Sequence, residues 1–168
     1  MDWKMMVFVL GAGYLLWNKD EVKTMAVNIT SDFTSGPRGL RNNNPGNIRH
    51  NPNNNWQGAR QNQTDSEFVQ FISSAWGIRA LMKTLRNYQS RHGLNTINGI
   101  INRWAPPVEN NTGSYVDAVS ARAGILPHQY IDLNSRATII SLASAIIHHE
   151  NGRQPYTRAE LEAAEALV

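Results

Sequence analysis

The sequence predicts a mainly α fold of the α+β kind: a helical body carrying a small β-hairpin and loop region, preceded by an apolar N-terminal helix. Three observations lead there. From residue 73 to the C-terminus, apolar side chains recur at helical spacing. Residues 38–70 break that spacing with Asn, Gly and Pro. Residues 5–17 read MMVFVLGAGYLLW, without a single charge.

That N-terminal run is shorter than the roughly 20 residues that cross a bilayer unaided. With Trp3 counted and Lys4 snorkelling, residues 3–17 suffice for a thin membrane, and Trp3 and Trp17 stand where interfacial aromatics belong. A membrane anchor is the first reading, a signal peptide, cleaved or uncleaved, the second, and a buried helix the third; Gly11 and Gly13 weaken any helix. The predicted organisation is an anchor over residues 1–17, a polar linker over 18–36 closed by Ser35-Gly36-Pro37, and one domain over 37–168.

Within the domain, Gly46-Asn47-Ile48-Arg49 and Glu67 to Phe71 read as short β-like pieces in a loop region of the kind that carries function. Trp76, Ile78, Leu81, Met82, Leu85 and Tyr88 predict a helix ending at Gly93. Thr96 caps a helix carrying Ile97, Ile100, Ile101 and Trp104, which Pro106-Pro107 stops. Tyr115, Val116 and Val119 mark another, over residues 114–123. Ser135 caps the most apolar stretch, Ile139 to Ile147, the predicted central helix. Thr157-Arg158-Ala159-Glu160 is a capping box for the last.

Composition excludes several chemistries. The 168 residues contain no cysteine, which removes thiol nucleophiles and cysteine-based metal sites. His148 and His149 are adjacent and diverge on a helix, and His50, His92 and His128 are isolated, so neither metal nor cofactor is expected. No phosphate loop or G-x-S-x-G elbow is present. The net charge is only +3, yet nine basic residues between Gly36 and Arg103 face just Asp65 and Glu67. That half suits an anionic partner: cell wall, membrane face or nucleic acid. A solvated basic face explains it equally well.

The acids remain. Glu150 is the only acid of the central helix and stands at its C-terminal end. Lost hydration and the negative end of the helix dipole both favour its protonated form, as a general acid requires. The alternative is an ordinary glutamate at a frayed end or paired with Arg153. Glu67 offers a second carboxylate or the solvent side of a strand. Glu109 is a loop acid or, more simply, a helix-start acid. The Asn-rich stretches 42–47 and 51–55 supply amides for sugar hydroxyl and acetamido groups, or serve turns. Trp76 and Trp104 lie in helical apolar patterns and read as core.

The run Arg38-Gly39-Leu40-Arg41-Asn42-Asn43-Asn44-Pro45-Gly46-Asn47-Ile48-Arg49 resembles the opening motif of a family of bacteriophage virion proteins. Trp56-Gln57-Gly58, Gly77-Ile78-Arg79-Ala80, Arg103-Trp104-Ala105-Pro106-Pro107 with Glu109-Asn110, Tyr115-Val116 and His149-Glu150-Asn151-Gly152-Arg153 follow in order. The resemblance covers residues 37–157 and extends to lysozyme-like lytic transglycosylases and glucosaminidases of the cell wall. In those enzymes a helix-end glutamate precedes the Asn-Gly-Asn element; here Glu150 follows it, as in a circularly rearranged order. The resemblance implies a lysozyme-like fold and glycan cleavage, with Glu150 and Glu67 as catalytic candidates. It implies sugar contacts at Asn44, Asn47, Trp56, Glu109, Asn110, Tyr115, Asn151 and Tyr156. The expected partners are peptidoglycan, a membrane through residues 3–17 and other virion proteins, in a virion-borne, membrane-associated protein acting in the host periplasm. Two other classes stay open: a non-catalytic virion protein on the same scaffold, and a membrane-anchored nucleic-acid binder for packaging or delivery.

Overall fold

The computed structural model describes residues 6–10, 13–17, 36–108 and 111–168. The chain divides into two compact units, Met1–Pro37 and Arg38–Val168.

In the first unit, β1 (Met6–Leu10) and β2 (Gly13–Trp17) pair antiparallel, with Met6 opposite Trp17 and Leu10 opposite Gly13. This corrects the expected apolar helix. A short uncharged run fits a strand as readily as a helix. Here Val, Phe, Tyr and Trp favour the extended form. Gly11 and Gly13 disfavour helix, and only residues 11 and 12 separate the strands. Among the described residues no helix is long and apolar enough to cross a membrane.

The second unit contains six described helices: α1 (Arg38–Arg41), α2 (Ser74–His92), α3 (Ile97–Trp104), α4 (Thr112–Ala123), α5 (Arg136–Asn151) and α6 (Arg158–Glu165). The predicted caps act as expected. Thr96 Oγ1 accepts from the Gly99 amide at 3.1 Å. Thr157 and Glu160 close a reciprocal capping box. Helix α4 begins two residues earlier than predicted, because Asn111 rather than a later residue caps it. Gly152 ends α5 with φ of +70°, the left-handed turn that glycine adopts without a Cβ penalty.

Helix α5 is the centre of the fold, packed against α1, α2, α4 and α6. It buries Ile139, Ile140, Leu142, Ala143, Ala145, Ile146 and Ile147. Each large aliphatic side chain buried this way contributes about 1.5–3 kcal/mol.

Residues 42–73 cover one side of this helical framework without forming a regular hairpin. The expected β region reduces to two isolated antiparallel bridges, Arg49 with Phe68 and Ala59 with Phe71. Side-chain amides replace the missing ladder. Asn44 is fully buried; its Nδ2 donates to the carbonyls of Ile48 and Val69, and its Oδ1 accepts from the Ile48 amide. Gln70 Oε1 accepts from the Thr64 amide at 2.6 Å, while its Nε2 donates to Asn42 Oδ1. Under this mesh Ile48, Val69, Phe71 and Ala80 form an apolar cluster flanked by Trp56, Trp76 and Trp104.

Candidate active site

Glu150, half-buried in the last turn of α5, stands in the wall of a cleft of about 600 Å³. The other walls are the 46–56 loop, Tyr88 from α2, and Trp104 to Pro106 at the end of α3. The volume falls in the range of about 300–1,000 Å³ usual for ligand sites. Glu150 is the one acid among the described lining residues, beside the basic Arg49 and His50.

Three uncharged donors converge on its carboxylate. Asn47 Nδ2 donates to Oε2 at 2.8 Å. Trp104 Nε1 donates to Oε1 at 3.0 Å, and the Tyr115 hydroxyl donates to the same oxygen at 2.6 Å. The three come from the loop region, from α3 and from α4, so the site needs every layer of the fold. Asn47 adopts φ of +48°, a left-handed conformation that asparagine tolerates better than most residues. A tight approach holds it there. A Cβ on Gly39 would lie 2.6 Å from Asn47 Oδ1 and 2.6 Å from Asn151 Oδ1, so only glycine fits beneath these two amides.

Tyr115 is buried, and its ring stacks on His149 with centroids 3.6 Å apart and planes 18° apart. Burial, then the neighbouring Glu150 charge, push the Tyr115 hydroxyl far above the ordinary phenol range, so it stays protonated. A protonated hydroxyl is both donor and acceptor. It can donate to the carboxylate or accept from the carboxylic acid. The exposed His149 is pulled below the usual imidazole range, mainly by desolvation, against the attraction of Glu150.

The structure thus brings Asn47, Trp56, Tyr115 and Glu150 together; Trp56 lines the cleft with its buried Nε1 unpartnered. The remaining predicted residues fare differently. Glu67 is exposed and bonded to Arg38 at 2.8 Å, outside the cleft lining. Asn44 and Asn151 are buried, and their amide nitrogens bond to backbone carbonyls. Asn44 is spent within its loop, and Asn151 Nδ2 donates to the carbonyls of Pro45 and Ile147 at 2.8 Å. Tyr156 is likewise buried, and burial raises its hydroxyl above the phenol range. Glu109 and Asn110 lie outside the described residues.

Trp104 was expected in the core. It does pack on the apolar cluster, but its Nε1 reaches Glu150. Its place beside Pro106-Pro107, where a helix must stop at a loop, is the signal that marks it as reaching a surface. Tyr88, Arg49 and His50 carry no sequence signal of comparable strength. Among the described residues no group of three His, Asp or Glu side chains converges as a metal site would require.

The chemistry available is that of one carboxyl group held by neutral donors in a groove with basic walls. No protein-family model matches the chain. The chain is similar to Protein P5 of Pseudoalteromonas phage PM2, with 40% identity over 134 residues, 79% of this chain and 82% of that protein. On that identity and coverage, the chain belongs to the family of this phage protein.

Proposed function

We propose that the chain is a virion-associated, peptidoglycan-cleaving enzyme of the lytic transglycosylase kind, tethered through residues 3–17 and acting in the host cell envelope. The observation that carries the reading is the setting of Glu150, the one acid among the described residues of the groove, with three neutral donors on its carboxylate. The basic 36–103 half supports an anionic wall substrate, and the uncharged run over residues 5–17 supports the tether.

Glu150 acts first as acid, protonating the glycosidic oxygen as the bond to the anomeric carbon breaks. The carboxylate left behind receives Asn47, Trp104 and Tyr115, which offset its charge as it forms. It then takes the proton from the C6 hydroxyl of the muramoyl unit as that oxygen closes on the anomeric carbon. One carboxyl serves both steps, whereas a hydrolytic pair needs two facing carboxylates. With Glu67 engaged by Arg38, the single-acid route is the better supported.

Purified sacculi test this directly. The full-length protein should reduce their turbidity, and Glu150→Gln should lower the rate by about 10²–10⁴-fold at unchanged thermal stability. Anhydro-muramoyl ends mark transglycosylation and reducing ends mark hydrolysis. Clearing that survives the substitution sinks the assignment of Glu150. No clearing of any wall type transfers the protein to the non-catalytic virion reading.

A further inference from the structure

The cleft does not end at Trp104. Two of its lining residues, Tyr88 and Pro106, also line a shallower depression of about 730 Å³, whose other walls include His92, Asn102 and Arg103. From Glu150 outward the surface runs through Trp104, Tyr88 and His92. The Tyr88 ring meets Trp104 edge-on at 6.4 Å and His92 at 6.3 Å. Over Tyr88 lies the guanidinium of Arg103, its carbon 5.2 Å from the ring centroid.

A guanidinium carries five N–H donors in one plane, so the bond from Arg103 to Tyr88 leaves others over for a ligand. Arg103 is exposed, and among the described residues no acid pairs with it. No acid stands among the described residues that line the depression. The result is a guanidinium hydrogen-bonded to the Tyr88 side chain and paired with no described acid, one aromatic ring removed from the tryptophan that holds Glu150.

We propose that the arm of the cleft beyond Tyr88 is a recognition subsite for a carboxylate carried on the glycan, with Arg103 as its anchor. The subsite rests on the glycan-cleaving reading above. A carboxylate matches the planar fork in two parallel hydrogen bonds. It comes either from the lactyl group of a strand without peptide or from the stem peptide.

The test is calorimetric, on the full-length chain carrying Glu150→Gln so that ligands stay intact. Three tetrasaccharides of equal length are compared: neutral chitotetraose, the alternating N-acetylglucosamine–N-acetylmuramic acid tetramer, and the same tetramer with stem peptides. At least one carboxylate-bearing ligand should bind about fivefold more tightly than chitotetraose, the scale of an accessible but well-oriented ion pair. The tetramer that shows the preference identifies the source of the carboxylate. Adding Arg103→Gln should erase the preference and leave the neutral ligand unchanged, while Arg103→Lys should keep part of it. Equal affinities for all three, or equal weakening of all three by Arg103→Gln, overturns the subsite. So does tighter, Arg103-dependent binding of a single-stranded oligonucleotide, which would assign the arm to phosphate. Glu150-dependent clearing without a carboxylate preference removes the subsite alone. Absence of binding to any of the three, together with absence of clearing, removes the glycan reading with it.

Discussion

Helix α5 buries Ile139, Leu142, Ala143 and Ile146 completely, whereas the neighbouring 42–73 loop buries Asn42, Asn44 and Gln70. The first region is held by removing apolar surface from water, a force without direction. The second is held by directed bonds whose partners must be present in full, since a buried amide left alone costs more than it gains when paired. Glu150 belongs to the apolar region and Asn47 to the polar one, so the candidate site lies where the two modes of cohesion meet. Cohesion by amides suits a region that must stay irregular. It fixes a backbone that neither a strand nor a helix could shape, and leaves left-handed residues such as Asn47 aimed at the carboxylate.

The contrast can be broken by substitution. Ile146→Ala should cost about 4 kcal/mol, the range for deleting a fully buried branched side chain. It should lower the melting temperature of the whole body in a single transition. Asn44→Ala should cost about 3 kcal/mol, because the Ile48 amide and two carbonyls lose a partner in a buried place. Its signature is hydrogen exchange concentrated in residues 42–73. A cost below about 1 kcal/mol would mean that water replaces the amide, and the loop would not be amide-held at all. Tyr115→Phe keeps the stack on His149 and removes one donor from Glu150. It should lower kcat about tenfold with KM little changed, the pattern of a group that acts on the transition state.

The smallest effect concerns acid. The two-pronged bond from Arg38 holds the Asp65 carboxyl well below the usual carboxylate range; burial opposes this, and bonds from the Phe68 amide and Asn42 assist. A carboxyl lowered in the folded state stabilises the fold above its unfolded value and loses that contribution as pH falls. Denaturant titrations should therefore show stability declining below about pH 4. Arg38→Gln should flatten that decline, and salt should weaken it because Arg38 is exposed. An unchanged slope in Arg38→Gln would show that the loop's charges merely decorate its amides.

The same contrast explains how much was legible in the sequence. Apolar periodicity and cap residues located α2, α3, α5 and α6 closely, because a buried helix face writes its period into the chain. Glu150 was legible as the single acid at the end of the most apolar helix. The loop region was legible only as irregular. Asparagine reads the same whether its amide faces a ligand or staples a backbone, which is why Asn44 and Asn151 looked like sugar contacts. Asn47 and Asn44 belong to one motif, three residues apart, yet one reaches Glu150 and the other is sealed inside. Nothing local announces that Asn47 will meet a residue 103 positions later. At the N-terminus, two strands of five residues carry too short a pattern to separate strand from helix.

The distances along the chain between Glu150 and its donors have a consequence for folding. The donors lie 35, 46 and 103 residues upstream of the acid. Contacts of such separation form late, after the intervening loops have closed. Until α5 packs into the fold, Glu150 and its three donors stay apart and the cluster does not exist. On the glycan-cleaving proposal, the protein would be armed only when its own folding brings these distant residues together.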